Sequence, residues 1–441
     1  MKRAEKVEEM LNVFAPNPIN EQTEDFFCET IPVRMNNPVA SPIMNIYQRC
    51  KMPTNRNAFL LLGHRGCGKS TELFQLKKSL EKAGHPVALV DCALEADMPN
   101  LVYSDLLILI AEALLKIADR VGCEPSDDLL RNMQAFWDEK TVTSTDTIEK
   151  EAALGGSVSA ESPKLLSKVL KLSARITAEV KNSNQQRTDI RKKVQNRLTD
   201  WLKYIGAISD AIAAHQDHRQ PVIIFEELDK LDEKKAMDIF GGYATTLSNM
   251  PFPVIYSFPI ALFYDPKFAQ LRGYFEPQTL PMIKIRTMDD KPCEEGLALL
   301  REIVEKRAEP TLFAEGVLDL IIKKSGGSLR DIFEMIVSAA SLTWRRDNAC
   351  IQMEDAQYAV MELQSKLTSC IERGDYEMLV DIHKSPRSEI IDRAKMLEFM
   401  QGMLVLEYNG KRWHDLHPLV LDYLRDDIGM VALQDNDGKK V

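Results

Sequence analysis

AFLLLGHRGCGKST, residues 58 to 71, is the stretch that decides how the rest of the chain is read. Five apolar residues, Ala58 to Leu62, stop at a glycine, as a strand buried on both faces of a parallel sheet does. The next eight, GHRGCGKS (63–70), satisfy G-x-x-x-x-G-K-[ST], and the helix-compatible run STELFQLKKSLEKAG overlaps their end. Strand, glycine-rich turn and helix, in that order, are the context a phosphate-binding loop needs. Gly63, Gly66 and Gly68 let the backbone fold tightly, so that N–H groups converge on phosphate oxygens. The helix opening near Lys69 adds its positive end. In such a loop the lysine, here Lys69, bridges the β- and γ-phosphates, and the hydroxyl of Ser70 holds magnesium. The expected nucleotide contacts are Gly63, His64, Arg65, Gly66, Cys67, Gly68, Lys69, Ser70 and Thr71. Cys67 reads as a spacer in the loop, not as a redox residue.

Outward from the loop, PVALVDC (86–92), PVIIFEE (221–227), PVIYSFPIALF (253–263) and LPMIKIR (280–286) read as further strands, with helical periodicity between them. That alternation predicts an α/β fold, a parallel sheet covered on both faces. The third strand runs into two acids, VIIFEELDKLD (222–232), at the sheet edge where ligands of open α/β folds sit. Pleating sends Glu226 and Glu227 in different directions. Glu226 takes the magnesium-shell position, and Glu227 that of the general base or water-positioning residue. Asp229 and Asp232 follow as capping or bonding residues.

Between the second and third strands lies an insertion, about 122–219, read as largely helical. It holds the polar segment KTVTSTDTIEKEAALGGSVSAESP (140–163) and then LKLSARITAEVK (170–181). The latter alternates like a two-faced strand, yet Leu165, Val169, Ser173, Ile176 and Val180 also line one helix face, and both readings stay open. Arg187 to His215 reads as one long helix. From 289 to 372, four short helical patterns suggest a small bundle. From 373 to 441, two helical stretches lead to Asn409-Gly410 between strand-like runs, a hairpin signal that suggests a winged-helix-like module. The organisation expected is an N-terminal arm (1–30), a core with insertion (31–288), a helical lid (289–372) and the C-terminal module (373–441).

Composition bounds the rest. A chain of 441 residues exceeds one small core. No apolar run is long enough to span a bilayer, and MKRAEKVEEMLNVF is amphipathic and charged, unlike a signal peptide. Eight scattered cysteines without C-x-x-C spacing fit a reduced, cytoplasmic setting and argue against structural zinc or a disulfide framework. The helical spacing of Trp344, Met335 and Met400 reads as core packing. His414 and His417, with no further ligands near them, read as ordinary polar residues.

The residues above resemble the AAA+ ATPases, especially the initiator-type branch and the related STAND signalling ATPases. The resemblance rests on GHRGCGKS, VIIFEELDKLD and SGGSLRDIFEMI (325–336), and covers about 31–121 and 221–350, with a weaker extension into the C-terminal module. It implies an ATPase using ATP and Mg2+, with Arg330 as the lid arginine that reaches the γ-phosphate. Read from the residues alone, Gly326-Gly327 ends one helix and Ser328 caps the next. Arg330 then sits in a first turn, where the helix dipole disfavours a cation and an anionic partner is called for. The resemblance further implies Ser257 as the polar residue of the fourth strand. Arg272 falls in the place of an arginine finger acting on a neighbouring subunit, so a homo-oligomer is expected. No N-K-x-D pattern is present, so adenine is the expected base. Two departures are the insertion and the glutamate at 226 in place of the usual aspartate. No sensor repeats follow the ATPase.

Three functions follow. The first is a nucleotide-driven switch that controls a protein partner, in bacterial-type signalling or defence. The second is an initiator- or loader-type ATPase that grips DNA through the C-terminal module. Residues 351–441 hold 17 acidic against 11 basic side chains, a balance of −6. That disfavours DNA, although Lys411, Arg412 and His414 lie near the hairpin. The third is a nucleotide-binding scaffold with little turnover. No membrane partner is expected.

Overall fold

The computed structural model describes the chain apart from residues 36–40, 53–56, 139–164, 386–391, 409–412, 428 and 430–441. Five parallel strands form the main sheet: β1 (Ala58–Gly63), β2 (Val87–Asp91), β3 (Val222–Glu226), β4 (Val254–Pro259) and β5 (Glu276–Thr279), in the order β2-β3-β4-β1-β5. The apolar runs split between two layers as pleating requires. Leu60 and Leu62 of β1, Ile223 and Phe225 of β3, and Tyr256 and Phe258 of β4 join one core. Phe59, Leu61, Val222, Ile224 and Ile255 join the core on the opposite face. The fold class is the expected α/β one, with helices on both faces of a parallel sheet.

The fifth strand lies earlier than LPMIKIR. Pairing with β1 covers Glu276 to Thr279, and Leu280 adds one bond to Leu62 O at 2.8 Å. Pro281 has no N–H to offer the ladder, so the chain leaves the sheet there. Met282 N then donates to Glu407 O at 3.1 Å, which brings the C-terminal hairpin against the core.

LKLSARITAEVK is helical. It lies in Leu165–Asn182, whose buried side is Leu166, Val169, Ser173, Ile176 and Val180, packed on the helix Tyr103–Val121. Burial of that one stripe, not the local alternation, selected the helix. The helix expected from Arg187 to His215 is two, Asn184–Asn196 and Leu198–His215, broken at Arg197 (φ −121°, ψ 36°). Segment 140–163 lies outside the described residues.

The lid has the four expected helices: Glu294–Glu305, Val317–Lys324, Leu329–Arg345 and Met353–Thr368. Its core takes in the N-terminal arm, whose helix Val7–Val13 packs on Leu329–Arg345. The arm is thus part of the lid's hydrophobic cluster. Met335 and Met400 are buried, but Trp344 is 55% exposed, on the helix side facing away from that cluster. Periodicity alone cannot tell a buried stripe from the position beside it.

At the C-terminal end, helices Tyr376–Lys384 and Arg393–Gln401 precede an antiparallel hairpin, β6 (Val405–Tyr408) with β7 (Trp413–Leu416). Asn409-Gly410, Lys411 and Arg412 fall outside the described residues. Among those described, no helix is long and apolar enough to cross a membrane.

Candidate functional site

The loop after β1 folds as its glycines allow. Gly66 (φ +78°) and Gly68 (φ +99°) both occupy left-handed backbone, and Lys69–Lys82 starts directly after Gly68. Close packing would bar a side chain even without that constraint. A Cβ at Gly66 would lie 2.6 Å from Arg330 Cβ, and one at Gly63 would lie 2.9 Å from both Cys67 Sγ and Leu280 O.

Lys69 is almost fully buried. Its ammonium donates to Gly63 O (2.8 Å) and His64 O (2.9 Å) and pairs with Asp229 Oδ2 at 2.9 Å. Burial pulls the Lys69 pKa down, but Asp229 and Cys67 together outweigh it and the net shift is upward. Asp229 moves the other way: Lys69 overcomes the burial that would raise it.

Glu226 ends β3 and is 7% exposed. Burial pushes its carboxyl up to about 8. A bond with Ser70 holds it back, while the acids Asp91, Glu227 and Asp229 add to the push. Glu226 Oε1 has no hydrogen-bond partner. Glu226 Oε1 is buried beside the Ser70 hydroxyl and crowded by acids, so a cation bound there would relieve the crowding and ionise the carboxyl. Ser70 and Glu226 therefore fit a magnesium site.

Glu227 lies just past the strand, at φ +70°, a left-handed conformation that costs a non-glycine residue of order 1 kcal/mol or more. Ser257 explains how it is held. Its hydroxyl accepts the N–H of Leu228 at 3.0 Å, pinning the turn that displays Glu227. Ser257 is buried and does not line the cleft, so its geometry is that of a support and not of a ligand contact.

The lid closes the other side. Ser328 caps Leu329–Arg345, accepting from Asp331 N at 3.3 Å, and Leu329 N donates to Gly66 O at 3.1 Å. Arg330 sits half-buried in the first turn, close enough to Lys69 to oppose its protonation. Between loop and lid lies a cleft of about 330 Å³ lined by Arg65, Gly66, Gly68, Lys69, Ser70, Thr71, Glu227, Asp229 and Arg330. Gly63, His64, Cys67 and Glu226 stand behind that lining.

Arg272 is not brought to this cleft. It is exposed at the end of a short helix, with its guanidinium 4.8 Å from the Phe263 ring centroid.

Four contributions escaped the sequence reading. Asp91 ends β2 opposite Glu226 and lines the cleft. Arg34, 1% exposed, braces the loop from behind through Thr30 Oγ1 (2.8 Å), Pro281 O and Cys67 O (both 2.5 Å). The N-terminal arm supplies Pro16, Asn17, Pro18, Ile19, Phe26, Phe27 and Cys28 to the cleft wall. Ile303, Arg307 and Phe333 complete that apolar end, where Arg307 packs between the Phe26 and Phe333 rings. Hydrophobic periodicity marks residues as buried but not as cleft wall, and no motif flags Arg34.

His64 is buried behind the loop, and its Nε2 accepts the Glu407 N–H at 2.8 Å. Tyr408 of the same hairpin donates to Gly326 O at 2.8 Å, the turn before the lid arginine. His417 contacts Asp331 at 3.3 Å and His414 contacts Tyr264 at 2.7 Å, both ordinary polar pairings.

No family model matches the chain, and no curated protein matches it. Solved structures similar to it include the Aeropyrum pernix ORC1 protein in complex with DNA, at 12% identity and a TM-score of 0.37, covering 93% of this chain and 97% of that one. A Walker-type ATPase of Pyrococcus abyssi matches at 14% identity and a TM-score of 0.39, over 91% and 99%. The Thermotoga maritima RuvB Holliday junction branch migration motor matches at 10% and 0.33, over 90% and 99%. Likenesses this distant transfer neither ligands nor residue roles. What the chain's own geometry shows is a parallel sheet with a glycine-rich loop at its carboxyl edge, faced by the helix Leu329–Arg345.

Proposed function

We propose that the chain is an ATP-binding and hydrolysing switch of AAA+ type, in which closure of the lid over the nucleotide is relayed to the C-terminal module. The observation that carries this reading is the cleft in which Lys69, Ser70, Glu227 and Arg330 meet between loop and lid. The loop amides and Lys69 bind the β- and γ-phosphates, and the apolar end made by the arm, Ile303 and Phe333 takes adenine. Ser70 and Glu226 would hold magnesium, which when bound would supply positive charge to the phosphates. Glu227 orients and deprotonates the attacking water, and Arg330 stabilises charge on the γ-phosphate from the lid. Arg272 is proposed to act across a subunit boundary. Relay to the C-terminal module runs through His64 to Glu407 and through Gly326 to Tyr408.

Phosphate release by the parent, Lys69→Ala and Glu227→Gln tests the enzymatic reading. Turnover is expected in the parent and its loss in both variants; equal rates in all three leave only a scaffold. A protein partner and duplex DNA are the two candidates for the output. A DNA titration across salt decides, because phosphate contacts give a steep salt slope. Binding without that slope, or none, assigns the output to a protein.

A further inference from the structure

The five residues Glu226 to Lys230 read E-E-L-D-K, and the last two do something the phosphate-site motif does not specify. Asp229 pairs with Lys69, the ammonium expected to meet phosphate. Lys230 pairs with Glu227, the carboxylate expected to meet water. Both pairs come from one 3-10 turn, Leu228–Lys230, anchored by the Leu228–Ser257 bond and begun in left-handed backbone at Glu227. All four charged groups line the cleft.

The buried ammonium explains why this matters. Lys69 has three N–H groups, and Gly63 O, His64 O and Asp229 Oδ2 take all three. Its side chain is 7% exposed and that of Asp229 is 12% exposed, so little water screens the pair. A buried cation without a counter-ion is costly, and Asp229 removes that cost while no anion is present. An arriving phosphate must therefore take the ammonium from Asp229, and the two anions cannot share it without mutual repulsion.

We propose that Asp229 is the resident counter-ion of Lys69, a positioning residue that competes with the nucleotide's phosphates and leaves the ammonium when they bind. This rests on the nucleotide reading of the cleft. The turn is pinned at Leu228, so it is the Asp229 side chain that swings away from the ammonium while the turn stays in place.

The experiment compares parent, Asp229→Asn and Asp229→Glu for equilibrium binding of ADP, inorganic tripolyphosphate and adenosine, without magnesium. Asp229→Asn keeps the shape and removes the charge. It should bind ADP and tripolyphosphate about tenfold more tightly, the factor that 1.4 kcal/mol represents, with adenosine unchanged. Asp229→Glu should stay near the parent. A merely structural role would shift all three ligands together. Should Asp229→Asn not fold, Asp229→Ser carries the same comparison. Weaker or equal phosphate binding by the neutral variant overturns the inference. Absence of ADP binding in the parent overturns the nucleotide reading itself.

Discussion

The N–H of Leu329 donates to the carbonyl of Gly66 at 3.1 Å, so the lid helix is bonded to the phosphate loop through backbone alone. That bond sets Arg330, the next residue, over the loop. A Cβ at Gly66 would lie 2.6 Å from Arg330 Cβ, so the approach depends on glycine.

Gly66→Ala should therefore fail in two ways. The left-handed backbone at φ +78° costs an L-residue about 1–2 kcal/mol, and the new methyl pushes the lid away. Nucleotide affinity should fall by about tenfold or more, while thermal unfolding shows a folded protein. Parent-like affinity would mean that lid and loop do not touch in solution.

Arg330→Met keeps the helix and most of the side-chain volume but removes the charge. Loss of one preorganised donor at a developing charge typically costs about 100-fold or more in turnover. Phosphate release should drop by that order with ATP affinity changed only a few-fold. If affinity collapses and turnover at saturation does not, Arg330 is a binding residue only.

How far the sequence reached can be judged at particular residues. Gly66, Gly68, Lys69 and Ser70 were legible because phosphate binding through backbone amides demands a fixed local spacing. The strand carrying Glu226 was legible because burial on both faces requires an unbroken apolar run. Glu227 was located, but its left-handed backbone was not, because that depends on Ser257, 30 residues further along the chain. Asp229 was seen as a bonding residue without its partner, since the Lys69 contact is set by tertiary packing. Arg34 was invisible. Its bonds to Pro281 O and Cys67 O join segments far apart in sequence, and an arginine within a short apolar stretch has no periodic signature.

Arg34 yields a stability prediction. Its guanidinium is buried against Thr30 and two carbonyls, and Thr30 in turn donates to Glu72 at 2.6 Å. Arg34→Met leaves those acceptors without a donor and Glu72 without its nearest cation. A loss of about 3 kcal/mol is expected, read by urea unfolding, together with weaker nucleotide binding as Cys67 loses its brace. Unchanged stability would show that water replaces the guanidinium at little cost.

His64 gives a prediction in pH. Burial, then the charge on Lys69, then His414 lower its pKa from 6.5 to about 3. The ring is neutral in the folded protein, as its acceptance of the Glu407 N–H requires. Unfolded, the same ring binds a proton below about 6.5. Between those values the unfolded chain carries more protons, so the stability His64 contributes is complete above pH 6.5. It is lost as pH falls towards 3, by at most about 1.4 kcal/mol per pH unit. His64→Gln keeps an acceptor for Glu407 but does not titrate. Stability by urea unfolding at pH 7.5, 6.0 and 5.0 should show a parent-minus-variant difference that moves in the variant's favour only at the two lower values. The same titration tests the junction between loop and hairpin, because only a ring sealed by β6 stays neutral so far below its ordinary pKa. A difference that does not vary with pH would mean that the ring is open to water and the hairpin does not rest on the phosphate loop.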